Sequence, residues 1–188
     1  MATVATADLV GWWPLNGSVD QRAGEALTSS LLGDATFDDS SPSPLGGRAL
    51  RLGSGNRDGF QVDADPALDV DEFTLGYFIN QDGAAQEGAG LERLSSREGD
   101  TFETAIGDAS AVGGTSSSTG TTLSYFQGSW NVTDVEIPEA EWVHVVWKNT
   151  PDEIQLYLNG ALEYTGPAAA PGAVTGFMNI GVRHNNVE

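Results

Sequence analysis

The stretch Glu98-Gly99-Asp100-Thr101-Phe102-Glu103 sets carboxylates at E-x-D-x-x-E spacing. Spread along one strand, such a set can hold a general acid and a nucleophile on either side of a glycosidic bond. Here Arg97 to Asp100 lies between two strand-like runs and contains Gly99, so the segment reads as a hairpin turn with its carboxylates pointing outward. In a chain with 27 acids this spacing arises readily by chance, and no catalytic residue is expected from it. The histidines add nothing to the catalytic case. His144, between Val143 and Val145, shares a face with Trp142 and Val146 and reads as a structural histidine, while His184 stands alone near the C-terminus. Neither has a Ser, Cys or carboxylate beside it in sequence to suggest a triad, and the spacings of metalloenzyme sites are missing.

Sugar recognition needs aromatic faces for C–H stacking beside planar amides and carboxylates. Trp12, Tyr125 and Trp130 are the aromatics least explained by core periodicity and are the candidate ligand-binding residues. The competing expectation is that they lie in the core, given the area each ring buries. Asn16-Gly17-Ser18 and Asn131-Val132-Thr133 match the N-glycosylation acceptor pattern.

These residues must be carried by strands, because alternating apolar and polar positions bounded by Gly, Asp, Asn and Pro recur along nearly the whole chain. The clearest runs are Leu9 to Trp13, Ala49 to Leu52, Phe60 to Val62, Phe73 to Ile79, Leu91 to Ser95, Phe102 to Ile106, Leu123 to Phe126, Trp142 to Trp147, Ile154 to Leu158 and Phe177 to Val182. In the run from Phe73, residues 73, 75, 77 and 79 share one face, as a sandwich strand requires. Asn159-Gly160 supplies the two positive-φ positions of a type I′ turn between Ile154-Leu156-Leu158 and Leu162-Tyr164. Gly107 to Thr122 reads as a long loop or weak edge hairpin, and Asp65-Pro66-Ala67-Leu68 as a single helical turn. The expected architecture is all-β: one two-sheet antiparallel sandwich over residues 1–188.

Composition narrows the setting. Against 27 acids stand 8 cations, for a formal net charge of -19, and Lys148 is the one lysine among them. Nucleic acid is therefore excluded as an expected partner. Dispersed carboxylates with depleted lysine resemble halophile composition, and a surface that repels itself in dilute buffer is expected to need salt for stability. No Cys is present, so neither disulfides nor thiolate metal sites contribute. The opening MATVATADLVGWWPLNG lacks the basic and apolar segments of a signal or membrane span, and no membrane insertion is expected.

Four segments carry a family resemblance: LVGWWPLNGSVDQRAG, GGRALRLGSGNRDGFQVDADPALDVDEFTLGYFIN, AEWVHVVWKNTPDEIQLYLNGALEYTG and FMNIGV. Together they resemble the laminin G-like, concanavalin A-like lectin and glucanase jelly rolls. The third, with its tryptophan-histidine strand and "YLNG" hairpin, is the most specific. The resemblance implies stacked antiparallel sheets with ligands on a concave face or at the rim. It leaves function to the sites, since the family holds sugar-binding, protein-binding and structural members.

The resemblance also implies a structural calcium in the acidic loop after the first strand, where Asn16 and Asp20 are the candidate oxygen ligands. Asn16-Gly17 as a plain turn and Asp20 as a solvated charge is the equal alternative. The family's calcium draws a further acid from a final strand that has no counterpart here. A neighbouring copy or another partner is expected to cover the first strand in that strand's place, giving a homo-oligomer or larger assembly. The expected function is non-catalytic: recognition of a cell-surface glycan or protein, extracellular or on a virion, with a halophilic virus particle as one setting. A glycan-active hydrolase of the same fold is the alternative.

Overall fold

A computed structural model describes residues 8–39, 44–52, 57–81, 91–99, 102–107, 121–169 and 176–182. Along the chain the strands are β1 (Gly11–Trp12), β2 (Ala23–Gly24), β3 (Ser29–Leu32), β4 (Thr36–Asp38), β5 (Ala49–Arg51) and β6 (Gly59–Val62). A 3-10 turn (Pro66–Leu68) precedes β7 (Phe73–Asn80), β8 (Leu91–Arg97), β9 (Glu103–Gly107) and β10 (Thr122–Phe126). The chain continues through β11 (Trp130–Glu136), β12 (Trp142–Asn149), β13 (Glu153–Leu158), β14 (Ala161–Pro167) and β15 (Met178–Ile180).

Two main sheets result: one of seven strands in the order β11-β10-β9-β8-β15-β6-β3, and one of four in the order β14-β13-β12-β7. Their strand pairs are all antiparallel. The all-β antiparallel sandwich is therefore the observed architecture. Two small pairs, β1 with β2 and β4 with β5, stand outside these sheets.

The core lies between the sheets, where Phe102, Ile106, Leu123 and Tyr125 meet Val143, Val145, Trp147, Ile154 and Leu156. Each such side chain contributes about 1.5–3 kcal/mol of apolar burial. Alternation selects these residues. In β12, Val143, Val145 and Trp147 turn inward, while Trp142, His144, Val146 and Lys148 turn outward. Polar contacts cross the core: the Tyr77 hydroxyl of β7, which accepts from Trp147 Nε1 in its own sheet at 3.1 Å, lies 3.4 Å from Thr104 Oγ1 of β9, and Arg97 of β8 pairs at 3.0 Å with Asp69, ahead of β7. Asn149, 2 % exposed, clamps two loops by donating to the carbonyls of Asp71 and Ala169 and accepting from the Ala169 N–H.

Several local expectations hold. Residues 73, 75, 77 and 79 share the more buried face of β7. Asn159 and Gly160 have φ of 50° and 86°, as a type I′ turn requires. Asp65 caps the 3-10 turn by accepting from the Ala67 N–H. The loop expected over Gly107 to Thr122 largely falls on residues 108–120, outside the described residues.

The first strand departs from expectation. Only Gly11 and Trp12 form it, and they pair with Gly24 and Ala23, so the open edge that called for a neighbouring copy is covered at those residues by the chain's own β2. Its two tryptophans separate. Trp13 packs edge-to-face on Phe60 at 5.8 Å, and a Cβ at Gly11 would sit 2.2 Å from the Trp13 ring, so glycine is required there. Trp12 stays 48 % exposed.

Candidate functional site

The seven-stranded sheet has a second face, turned away from the core, and register decides what lines it. Cross-strand partners share a face. The pairs Trp130 with Phe126, Phe126 with Glu103, Glu103 with Ser96, Ser96 with Asn179, Asn179 with Gln61 and Gln61 with Ser30 form one line across all seven strands. The adjacent row runs Val132, Ser124, Ala105 and Arg93.

The middle of this line is closed off from water, with Glu103 1 % exposed and Ser96, Ser124 and Asn179 at 0 %. A sheet face closed in this way is normally apolar, because a buried polar group costs free energy unless it is hydrogen-bonded. Some partners are in place. Gln61 Nε2 donates to Asn179 Oδ1 at 3.0 Å, and Ser96 Oγ donates to the Val182 carbonyl at 3.0 Å. Among the described residues Ser124 Oγ and Asn179 Nδ2 find no hydrogen-bond partner, and each such group costs about 1–3 kcal/mol.

Charge on this face is carried by an ion pair. Arg93 Nε donates to Glu103 Oε2 at 2.5 Å, and Arg93 Nη1 donates to the Leu91 carbonyl at 3.2 Å. The same guanidinium lies 4.6 Å from the centre of the Trp130 ring, a cation–π contact of about 0.5–2 kcal/mol. Phe126 adds a tilted contact to Trp130 at 5.4 Å. Trp130 is thus held as a partly exposed aromatic wall, with a neutralised ion pair and a row of amide and hydroxyl groups behind it.

The residues singled out from sequence separate in three dimensions. Trp130 joins the line, and Trp12 stands on β1, apart from both main sheets. Tyr125 is corrected: it is 0 % exposed, packs against Trp147 and Tyr164 and donates its hydroxyl to the Pro167 carbonyl. Its side chain faces the core because Phe126, the next residue, faces the Trp130 line. Glu103 is corrected too. The turn ends before it and β9 begins at it, so it points into the buried line, while Glu98 remains on the exposed turn and Asp100 lies outside the described residues.

Asn16 and Asp20 are both exposed. Gly17, between them, abuts the Arg48 side chain, and among the described residues no group of three His, Cys, Asp or Glu gathers there. Asn16 and Asp20 by themselves supply fewer than the six to eight oxygens that calcium takes. His144 stacks on Phe78 at 4.6 Å on the outer face of the four-stranded sheet, and His184 lies outside the described residues. Sequence missed Arg93, Ser124, Asn179 and Gln61, whose polarity on strands read as ordinary alternation.

The model of the concanavalin A-like lectin/glucanases superfamily matches residues 54–188, well over half of the chain. No curated protein matches in sequence. Among solved structures, domain 4 of AbnA, an extracellular GH43 arabinanase from Geobacillus stearothermophilus in complex with arabinotriose, is 14% identical, with a TM-score of 0.57 over 80% of this chain and 68% of that one. A botulinum neurotoxin type C structure, from work on its interaction with two ganglioside molecules, is 11% identical, with a TM-score of 0.64 over 92% of this chain and 42% of that one. The binding domain of botulinum neurotoxin DC in complex with SialylT is 10% identical, with a TM-score of 0.66 over 93% of this chain and 42% of that one. This chain therefore spans less than half the length of the toxin chains it resembles.

Proposed function

We infer that this chain, which belongs to the concanavalin A-like lectin/glucanases superfamily, is a non-catalytic glycan-binding module that engages its ligand at the Trp130 end of the seven-stranded sheet. The observation that carries the reading is the polar line from Trp130 to Ser30. Its solvent-facing members are the Trp130 and Phe126 rings at one end and the Gln61 amide and Ser30 hydroxyl at the other, with Ser96, Ser124 and Asn179 buried between them. Sugar hydroxyls satisfy donors and acceptors of this kind, and a sugar's C–H face stacks on an indole. The arabinotriose-bound domain and the SialylT-bound toxin domain share the fold and have glycan ligands in their own structures, which supports a glycan over a protein ligand.

The non-catalytic part of the reading rests on charge. A hydrolase needs one carboxyl able to protonate a leaving group and a second placed to attack or to activate water. Glu103, the carboxylate buried in the line, is held by the Arg93 guanidinium, and among the described residues of the line and its adjacent row no second carboxylate stands with it. Glu98 lies on an exposed turn.

The test is a glycan array probed with the wild-type domain and with Trp130→Ala, followed by reducing-sugar assays on every glycan retained. The expected result is a set of retained glycans that Trp130→Ala loses, with no sugar released. Retention unchanged in Trp130→Ala removes the site. Release abolished by Glu103→Gln establishes the hydrolase instead.

A further inference from the structure

The four-stranded sheet also has an outward face, and a glycine sits in it without a local reason. Gly76 is exposed in the interior of β7, and it is not among the positive-φ glycines. A Cβ there would lie 3.6 Å from His144 Nε2 and from Val146 Cγ2, which is ordinary contact distance. Neither backbone geometry nor crowding excludes a side chain. A mid-strand glycine weakens its strand, and it often marks a place where something else approaches the backbone closely.

The surroundings of Gly76 form a shelf. Phe78 and His144 are cross-strand partners whose rings stack at 4.6 Å and 25°, and they stand as a wall beside the glycine. Val146 faces Gly76 across the ladder, with Tyr157 as its other neighbour. Tyr157 donates to Gln155 Oε1 at 2.7 Å, and Gln155 Nε2 donates to Glu153 Oε1 at 2.6 Å. This chain of donors runs in one direction, so the Tyr157 oxygen is left as an acceptor toward the shelf.

Charges of both signs stand on this face. Lys148, the chain's one lysine, lies on the same face two residues beyond Val146, about 7 Å along the strand. It is exposed, and among the described residues no carboxylate forms an ion pair with it. Glu153, the acid on this face of β13, already accepts from Gln155. A protein of net charge -19 thus brings an unpaired ammonium beside a glycine floor and an aromatic wall.

We propose that this face is a second binding site, separate from the Trp130 line, for a saccharide that carries a carboxylate. The sugar ring lies over Gly76 against Phe78 and His144, and its carboxylate meets Lys148. A sugar ring suits a floor that lacks a side chain better than a bulkier peptide does. The complementarity is local. At about 1 M salt the Debye length is roughly 3 Å, so repulsion from distant carboxylates is screened while the contact pair persists.

The experiment is titration calorimetry in about 1 M sodium chloride, with an oligogalacturonate and its fully methyl-esterified form as probes. The expected result is binding of the acid form, weakened about tenfold or more by esterification and by Lys148→Gln. Gly76→Val is expected to abolish binding while leaving the thermal midpoint unchanged or raised, since a β-branched residue favours the strand. Trp130→Ala is expected to have no effect, which separates this site from the first. No binding of the acid form, equal binding of the ester, full binding by Gly76→Val, or loss in Trp130→Ala overturns the proposal.

Discussion

Arg93 ties the Trp130 wall to the buried carboxylate, and the two ends of its ion pair differ in what they lose when the partner is removed. The Glu103 side chain is 1% exposed and that of Arg93 15%. Arg93→Met leaves a carboxylate deep in the sheet without its guanidinium, at a cost of about 3–5 kcal/mol. Glu103→Gln leaves a guanidinium that keeps the Leu91 carbonyl, the Trp130 face and some solvent, and it costs less. Urea unfolding of the two variants is expected to show that order, and Arg93→Met is expected to weaken glycan binding as well, because the indole loses its support. Equal costs would show that the carboxylate does not depend on Arg93.

At the level of elements, one contact joins three strands through a phenol. The Tyr77 hydroxyl on β7 accepts from Trp147 Nε1 on β12 and lies 3.4 Å from Thr104 Oγ1 on β9. Burial pushes the Tyr77 phenol up to about 12 from an ordinary value of 10.0, and its hydrogen bonds with Thr104 and Trp147 offset only part of the rise. Burial raises Tyr125 as well. Below pH 10 folded and unfolded chains both keep the Tyr77 proton, and its stability contribution is complete. Between about pH 10 and 12 the unfolded chain releases the proton first, so stability falls with rising pH by on the order of 2–3 kcal/mol. Tyr77→Phe is expected to flatten the fall in the thermal midpoint across that interval, leaving the share of Tyr125. An unchanged slope would place the alkaline sensitivity elsewhere.

For the whole molecule the governing quantity is the ratio of 27 acids to 8 cations. With 8 cations for 27 acids, pairing such as that of Arg48 with Asp39, Arg51 with Asp38, Arg93 with Glu103 and Arg97 with Asp69 can take up only a minority of the acids. The remaining carboxylates repel one another, and salt screens that repulsion. The thermal midpoint is expected to rise by on the order of 10 °C between dilute buffer and multimolar potassium chloride, which corresponds to a few kcal/mol for a chain of this size. A midpoint independent of salt would show that the acids are spaced too widely for their repulsion to matter.

What the sequence determined by itself is local. The alternation of β7, the alternation of β12 and the Asn159-Gly160 turn were legible because each depends on neighbours two residues apart or on backbone preferences of single residues. The expectations of a salt requirement and of no nucleic-acid partner rest on counting charges alone. Tertiary structure decided what depends on pairing between distant segments. β3, β4 and β11 carry weak patterns and become strands only through partners elsewhere in the chain. The line from Trp130 to Ser30 gathers residues from positions 30 to 179, and shifting any strand by one residue would turn its member to the opposite face. For that reason Tyr125 and Phe126, adjacent in the chain, part company, one into the core and the other into the site. Gly76 shows the same limit, because a strand glycine reads only as a weak point until register places Val146, His144 and Lys148 around it.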